Sequence, residues 1–160
     1  MDMDDFANLM AFVQFTHYYS WAWGVSMYRG KNSYDKWRFS IWDCDRAFNE
    51  PQWNGFKGAW DHPADYMWAY ILPKKIIQNK KFQEKYIQRI VHLSNTVFKP
   101  ENAIAVLDSL YDIIKPEMND EFARWNPSND VWEQNVEDIR DCLQTPRHCT
   151  RTNETILRYL

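Results

Sequence analysis

Glycine and cysteine are both scarce in this chain, whose 160 residues include four glycines and three cysteines. The cysteines are Cys44, Cys142 and Cys149, and no two of them have the CxxC spacing that is typical of a zinc site. Their odd number also argues against a framework of disulfides. We therefore expect Cys44 to be buried, and Cys142 and Cys149 to carry thiols and not a bridge.

Long apolar runs and an excess of basic charge are also missing. No run approaches the length of about 20 apolar residues that a membrane-spanning helix needs, so the sequence predicts no membrane span. The formal net charge is −3, and the lysines and arginines form no basic stripe. Nucleic acid is therefore not an expected partner. The sequence does not indicate an oligomeric state.

Aromatic side chains, in contrast, are abundant. They make up 17% of the residues and include nine tryptophans. Rings at this frequency indicate a core built from large side chains or a cleft lined by them, and they argue against disorder. The chain is long enough to bury such a core, so we predict a single domain over residues 1–160.

Hydrophobic periodicity predicts a helix, a hairpin, a long loop and then a series of helices. The first helix is expected from about Asp4 to about Thr16, behind acidic residues that suit a helix N-terminus. An aromatic loop follows, and alternating patterns then predict paired strands at Val25–Arg29 and Lys36–Trp42. Residues 44–63 hold several glycines and prolines and read as a long loop. The predicted fold class is α+β, mostly helical with one β-hairpin.

The second half of the chain has helical spacing almost throughout. Pro73 is expected to stop or kink the first of these helices, and Pro116 to kink a later one. Three further patterns place apolar side chains on one helix face each. The three sets are Phe82, Tyr86, Ile90 and Leu93; Ile104, Leu107, Tyr111 and Ile114; and Val131 or Trp132 with Val136, Ile139 and Leu143.

Two carboxylates stand at the end of the second predicted strand, in "WRFSIWDCDRAF" at residues 37–48. Asp43 and Asp45 are separated by a single residue. Aspartate is common at strand ends simply because it turns easily and is well solvated. The other interpretation is a divalent metal site, because carboxylate oxygens are the hard ligands that Mg²⁺ prefers.

Four segments together resemble the C-terminal, C-lobe-like part of the spore-coat-protein-H-like (CotH) kinase family. They are "DMDDFANLMAFVQF", "HYYSWAWGVSMYR", "KWRFSIWDCDRAF" and "WEQNVEDIRDCLQTPRHC". The resemblance implies a kinase-like fold and transfer of phosphate from ATP to a protein substrate. It also implies that Asp43 is the main ligand of Mg²⁺ or Mn²⁺, with Asp45 in support, and that both contribute to the nucleotide site. A spore-coat or bacterial-surface location would follow.

The chain departs from that family at two positions of the catalytic loop. By position, the family's catalytic aspartate falls near Ser20 and its metal-binding asparagine near Gly24. A serine hydroxyl is a poor base at neutral pH, and glycine offers no ligand. His17 is the candidate substitute base, although a histidine among aromatic residues more often has a structural role. We therefore expect this chain to be inactive alone, or to be a pseudokinase.

A second absence concerns the nucleotide. No glycine-rich phosphate loop and no strand with a nucleotide-pairing lysine precedes the first helix. We expect the ATP-binding lobe to lie outside these 160 residues or to be missing.

The alternative function is a non-catalytic module that binds a protein or a glycan at a surface. The long loop carries Trp53 and Trp60, and exposed tryptophans can stack on sugars or pack against a protein partner. Burial in a core is the more common role for any single tryptophan.

Overall fold

The computed structural model describes residues 1–49, 58, 67–125 and 129–144. It confirms the α+β class, with one antiparallel hairpin among helices. The elements in chain order are α1 Met3–Phe15, β1 Val25–Tyr28, β2 Arg38–Ile41, a 3₁₀ turn Cys44–Arg46, α2 Trp68–Ile76, α3 Lys80–Ser94, α4 Pro100–Ile114, a 3₁₀ turn Lys115–Glu117, α5 Met118–Trp125 and α6 Asn129–Gln144. No helix in these ranges has the length and apolar character needed to cross a membrane.

Helix α1 forms where the acidic start of the chain predicts it. The Asp2 side chain caps the helix by accepting hydrogen bonds from the amides of Asp4 and Asp5, at 3.1 and 3.2 Å. Such a cap satisfies donors that have no partner within the helix, and the carboxylates of the first turn suit its positive end. The helix is buried along most of its length, so it lies at the centre of a core.

The hairpin lies beside α1 and confirms both predicted strands, each slightly shorter than expected. Val25 pairs with Ile41 and Tyr28 with Arg38. Phe39 is buried, whereas Arg38 and Ser40 are exposed, as the alternation predicts. The strand β2 is therefore anchored to the core by one face only.

Aromatic rings join these elements into one core. Phe6 of α1 lies 5.1 Å from Phe39 of β2 and 5.8 Å from Phe82 of α3, measured between ring centroids. Trp21, which is fully buried, meets Trp68 and Tyr70 of α2 edge to face. The abundance of aromatics is thus explained in large part by a ring-filled core.

Helix α2 does not stop at Pro73, which corrects one of the two outcomes expected for that residue. The helix runs through Pro73 to Ile76. Proline in a helix removes one hydrogen bond to the carbonyl four residues earlier. Here the proline side chain is fully buried, so its packing offsets part of that loss.

Helix α3 confirms its predicted face, because Phe82, Tyr86, Ile90 and Leu93 are its buried residues. Among the described residues, those up to Leu93 belong to a first compact unit, and a second unit begins with Ser94. The prediction of a single domain over the whole chain stays a prediction.

The second unit is held by aromatic and polar contacts between α4 and α6. The rings of Tyr111 and Trp132 stack at 5.0 Å, and the Tyr111 hydroxyl donates to the Glu133 carboxylate at 2.7 Å. Pro116 lies in the 3₁₀ turn that separates α4 from α5, so the helix is interrupted where the sequence predicts a kink. The face predicted for α4 is only partly covered, since Ile114 is 46% exposed.

Candidate functional site

Asp43 lies at the surface, just after the end of strand β2, where the backbone changes direction abruptly. The Trp42 amide still donates to the Gly24 carbonyl at 2.9 Å, which extends the hairpin by one pair. Asp43 then adopts a left-handed conformation with φ 57° and ψ 50°. Aspartate tolerates this region better than most residues. The 3₁₀ turn at Cys44–Arg46 follows, and the Asp43 side chain is left exposed.

Tyr18 fixes this turn from beneath. Its side chain is fully buried, and its hydroxyl lies 2.9 Å from the carbonyl oxygen of Asp43 and 3.2 Å from that of Trp42. Burial raises the pKa of the Tyr18 phenol, and a hydrogen bond with Ser20 opposes that rise. The phenol is therefore protonated at neutral pH and acts as a donor to the strand end.

Gly24 is required by the position of that phenol. A Cβ atom added at Gly24 would lie 1.8 Å from the Tyr18 hydroxyl oxygen and 2.7 Å from the Trp42 carbonyl oxygen. Real Cβ atoms essentially never make contacts this short. Gly24 therefore offers no side-chain ligand, and the space that a larger side chain would need is filled by Tyr18.

His17 occupies a buried and unusual position at the end of α1. Its φ is 52°, and only 7% of the residue is exposed. The neighbouring Thr16 carbonyl accepts a hydrogen bond from the Phe48 amide at 2.6 Å, which ties this corner to the chain beyond Asp43. A general base must reach the proton that it removes. Burial favours a structural role for His17, while its predicted role as a base stays a prediction.

Asp45 is exposed and has a cationic neighbour. Its carboxylate lies 3.6 Å from the Arg46 guanidinium, which also donates to the Tyr19 hydroxyl at 3.3 Å. Exposed ion pairs of this kind contribute little stability. Arg46 would nevertheless compete with a metal ion for the Asp45 carboxylate.

The described residues do not supply enough ligands to hold the Mg²⁺ or Mn²⁺ ion of a kinase tightly. Within the described ranges, no group of three or more histidine, cysteine, aspartate or glutamate residues could hold an ion. Asp43 presents one carboxylate, Asp45 is beside Arg46, and Gly24 has no side-chain ligand. Mg²⁺ gives up its waters reluctantly and needs more ligands than these to be bound firmly.

Cys44 is exposed, so the expectation that it is buried is wrong. The left-handed turn at Asp43 points the following residues outward instead of returning them to the core. Partial desolvation, and then the charges of Asp43 and Asp45, raise the pKa of the Cys44 thiol. Cys142 is buried, and burial raises its pKa to about 11. The expectation about pairing involves Cys149, which lies outside the described residues.

These thiols should differ strongly in reactivity. We expect iodoacetamide at pH 7 to modify Cys44 of the native protein, but more slowly than an unperturbed thiol, because only the thiolate reacts. Cys142 should react far more slowly, since it is both buried and less ionised. The measurement is mass spectrometry of digested protein over a time course. Equal rates at the two cysteines would contradict the structure, and urea-unfolded protein serves as the control in which the rates converge.

The sequence did not single out Tyr18, which is the residue that organises this site. The signal available was the aromatic run that contains it, followed six residues later by a rare glycine. The predicted binding residues Trp53 and Trp60 lie outside the described residues. Trp23 and Trp42, which border Gly24 and Asp43, are 63% and 56% exposed.

Comparison with known proteins identifies a family. The sequence model of a family described as CotH kinase protein matches residues 1–149. No curated protein and no solved structure matched the chain.

Proposed function

The chain belongs to the CotH kinase family, and from that premise we propose that it is a pseudokinase, a kinase-like domain that does not itself transfer phosphate. The observation that carries this proposal is the contact between Tyr18 and Gly24. By the resemblance, the family's metal-binding asparagine falls near Gly24, and the Tyr18 phenol fills the space beside that glycine. A ligand at position 24 cannot be regained without displacing a buried ring.

The loss of the catalytic base supports the same proposal. Ser20 stands near the family's catalytic aspartate by position, and its side chain is hydrogen-bonded to Tyr18. Phosphoryl transfer depends on positioning the nucleotide, neutralising its charge with metal, and orienting the acceptor hydroxyl. Of the groups that the resemblance implies, only Asp43 and Asp45 remain. We propose them as weak ligands of Mg²⁺ or Mn²⁺, with affinity on the order of millimolar.

The competing proposal is an active protein kinase in the full-length context, using ATP and Mg²⁺ on a protein substrate. Under either proposal we place the protein in the spore coat or at the bacterial surface, on the strength of the family alone.

A binding module is a further candidate, and the observation that favours it is the exposure of Trp23 and Trp42. A pseudokinase can bind a partner, so this candidate is compatible with the first.

An assay with labelled ATP tests the proposal. We expect the wild-type chain, with Mg²⁺ or Mn²⁺, to incorporate no label into itself. Labelling of a generic acceptor protein should be no faster than in a reaction without the chain. Without aligned reactants, on the order of 7–11 kcal/mol of barrier lowering is lost. The matched variant is Asp43→Asn, because asparagine keeps the side-chain shape and also tolerates the left-handed backbone. An active kinase serves as the positive control.

The contradicting outcome is label transfer by the wild type that disappears in Asp43→Asn. His17 would then be the first residue to replace as the base. The same assay on the longest natural form of the protein separates a pseudokinase from a domain that needs additional sequence, since only the latter would gain activity.

A further inference from the structure

A polar groove lies between α1 and α3, within the first compact unit, and encloses about 600 Å³. Its α3 wall carries four basic side chains, which are Lys81, Lys85, Arg89 and His92. They are separated by four, four and three residues, so they share one side of the helix although they are dispersed in the sequence. The buried residues of α3 lie on another side of it. The groove therefore presents a line of basic groups over roughly 16 Å, since a helix rises about 1.5 Å per residue.

Positive charge is concentrated in this part of the chain. Residues 74–92 include six lysines and arginines and one carboxylate, a net charge of +5, whereas the net charge of the whole chain is −3. Lys80 and Lys81 begin α3, where the helix dipole already places positive charge. Lysines at that end disfavour the helix, so they are not explained by its stability. A positive surface of this kind attracts an anionic partner.

Arg89 is oriented by a neutral neighbour. Its Nε donates a hydrogen bond to the side-chain oxygen of Asn8, across the groove. Among the described residues, no carboxylate forms an ion pair with Arg89. The two terminal nitrogens of its guanidinium can therefore bind a carboxylate of a ligand as a fork, which is the geometry that arginine recognises best.

The two carboxylates that line the groove do not cancel this charge. Asp4 pairs with Lys85 at 2.5 Å, but the two side chains are 75% and 42% exposed. An exposed pair contributes little stability, so Lys85 can turn to another carboxylate at low cost. Glu84 is exposed and precedes Arg89 by five residues, which separates the two by about 140° around the helix. Glu84 therefore lies at the opposite edge of the α3 wall.

The remaining lining favours a peptide over other anions. Among the described residues that line the groove, Ala7 is the only apolar one and none is aromatic. Single-stranded nucleic acid needs rings on which its bases stack, and a membrane surface needs an apolar face to insert. Asn8 and Gln88 instead offer amides, which both donate and accept hydrogen bonds and so suit the main chain of a peptide.

We propose that this groove binds an acidic, extended segment of a protein partner. Lys81, Lys85 and Arg89 follow one another at intervals of about 6 Å along the helix axis. Alternate side chains of an extended peptide lie on one side, about 6.6 Å apart. A segment with glutamate or aspartate at every second position therefore places one carboxylate beside each of these three cations. The fork of Arg89 fixes the register of the segment.

The experiment uses the whole 160-residue protein and the fluorescein-labelled peptide Ser-Glu-Ser-Glu-Ser-Glu-Ser, followed by fluorescence anisotropy. We expect saturable binding that weakens at least fivefold between about 50 and 300 mM salt, because exposed charges are screened. In ¹⁵N-labelled protein the amides of Asn8, Lys85 and Arg89 should shift. Replacing the three glutamates with glutamine should weaken binding about tenfold or more. A peptide with the same composition but three adjacent glutamates should bind several-fold more weakly.

Four protein variants locate the site. Arg89→Gln removes the fork and should reduce affinity about tenfold, and Arg89→Lys should recover only part of it. Lys81→Gln should weaken binding several-fold. Lys81 is exposed and has no ion pair among the described residues, so this variant tests the groove even if Arg89→Gln does not fold. The control is Lys31→Gln, which makes the same change of net charge in the exposed hairpin turn and should bind like the wild type.

Four outcomes would overturn the proposal. The first is equal affinity for the glutamate and glutamine peptides, and the second is equal affinity for alternate and adjacent glutamates. The third is binding that Arg89→Gln and Lys81→Gln both leave unchanged. The fourth is binding of anionic phospholipid vesicles or oligothymidylate that Arg89→Gln abolishes while the peptide fails to bind, which would assign the groove to phosphate groups. None of these outcomes involves ATP or Asp43, so failure here leaves the pseudokinase proposal intact.

Discussion

Replacing Gly24 with alanine should lower the free energy of unfolding by about 1–3 kcal/mol, the usual cost of overpacking a core. The new Cβ would meet the Tyr18 hydroxyl at 1.8 Å and the Trp42 carbonyl at 2.7 Å. Gly24 does not have a positive φ, so alanine is not strained by the backbone itself. The loss therefore reports the contact with Tyr18. Urea denaturation followed by tryptophan fluorescence measures it.

Gly30→Ala is the matched control for this substitution. Its Cβ would approach an atom almost as closely, the Asp35 carboxylate oxygen at 2.1 Å. That carboxylate is the end of a short, half-buried side chain that can rotate, and moving it costs a hydrogen bond from the Asn32 amide. We expect a change within about 0.5 kcal/mol, as for most surface substitutions. Equal losses at the two glycines would mean that Tyr18 does not restrict position 24.

A double-mutant cycle isolates the contact with the hydroxyl. Tyr18→Phe keeps the ring but removes the oxygen nearest to Gly24, so the closest remaining atoms are those at 2.7 and 2.8 Å. Tyr18→Phe combined with Gly24→Ala should therefore be less unstable than the sum of the single variants. Additive losses would place the strain at the Trp42 carbonyl instead.

The elements with a strong period were predictable from the sequence. Helix α3 repeats its apolar residues at helical spacing, and all four predicted residues are buried. The strand β2 alternates, and Phe39 is buried between exposed neighbours. In both cases one face meets a core, so the pattern of burial and the pattern of the sequence agree.

In helix α4 the apolar period predicts the helix but not the extent of its burial. Its predicted face is half-buried at three residues and exposed at Ile114, and none of the residues of the helix is fully buried. Other apolar residues of the helix are more than half exposed, namely Val106, Leu110 and Ile113. A period indicates a helix, but it does not state how much of the face a neighbour covers. Pro73 illustrates the same point, since the cost of a proline inside a helix depends on what its buried ring contacts.

The candidate site was predictable only in part, and the reason is physical. The position of Asp43 follows from the end of a strand, which local sequence encodes. The role of Tyr18 depends on a contact between residues 24 or 25 positions apart, the hydroxyl and the carbonyls of Trp42 and Asp43. No local period encodes such a contact. Gly24 could be identified as the loss of a ligand, but not as a position already filled.

Phe6→Ala should cause the largest loss of stability, about 3–5 kcal/mol, because it deletes a buried aromatic ring and leaves a cavity. Phe6 is fully buried in α1 and is the ring that contacts both Phe39 of β2 and Phe82 of α3. Its removal withdraws packing from the strand that ends at Asp43. Amide shifts near Asp43 should therefore change along with the denaturation midpoint, although the two residues are far apart in sequence.

Tyr34→Ala is the control for the loss of a ring, since Tyr34 is 80% exposed in the hairpin turn. It should change the free energy of unfolding by no more than about 0.5 kcal/mol. Phe6→Leu should lie between the two, because leucine refills part of the volume. A Phe6→Ala variant as stable as Tyr34→Ala would show that β2 is held by its hairpin alone. The position of Asp43 would then depend on Tyr18 and Gly24, and not on the aromatic core.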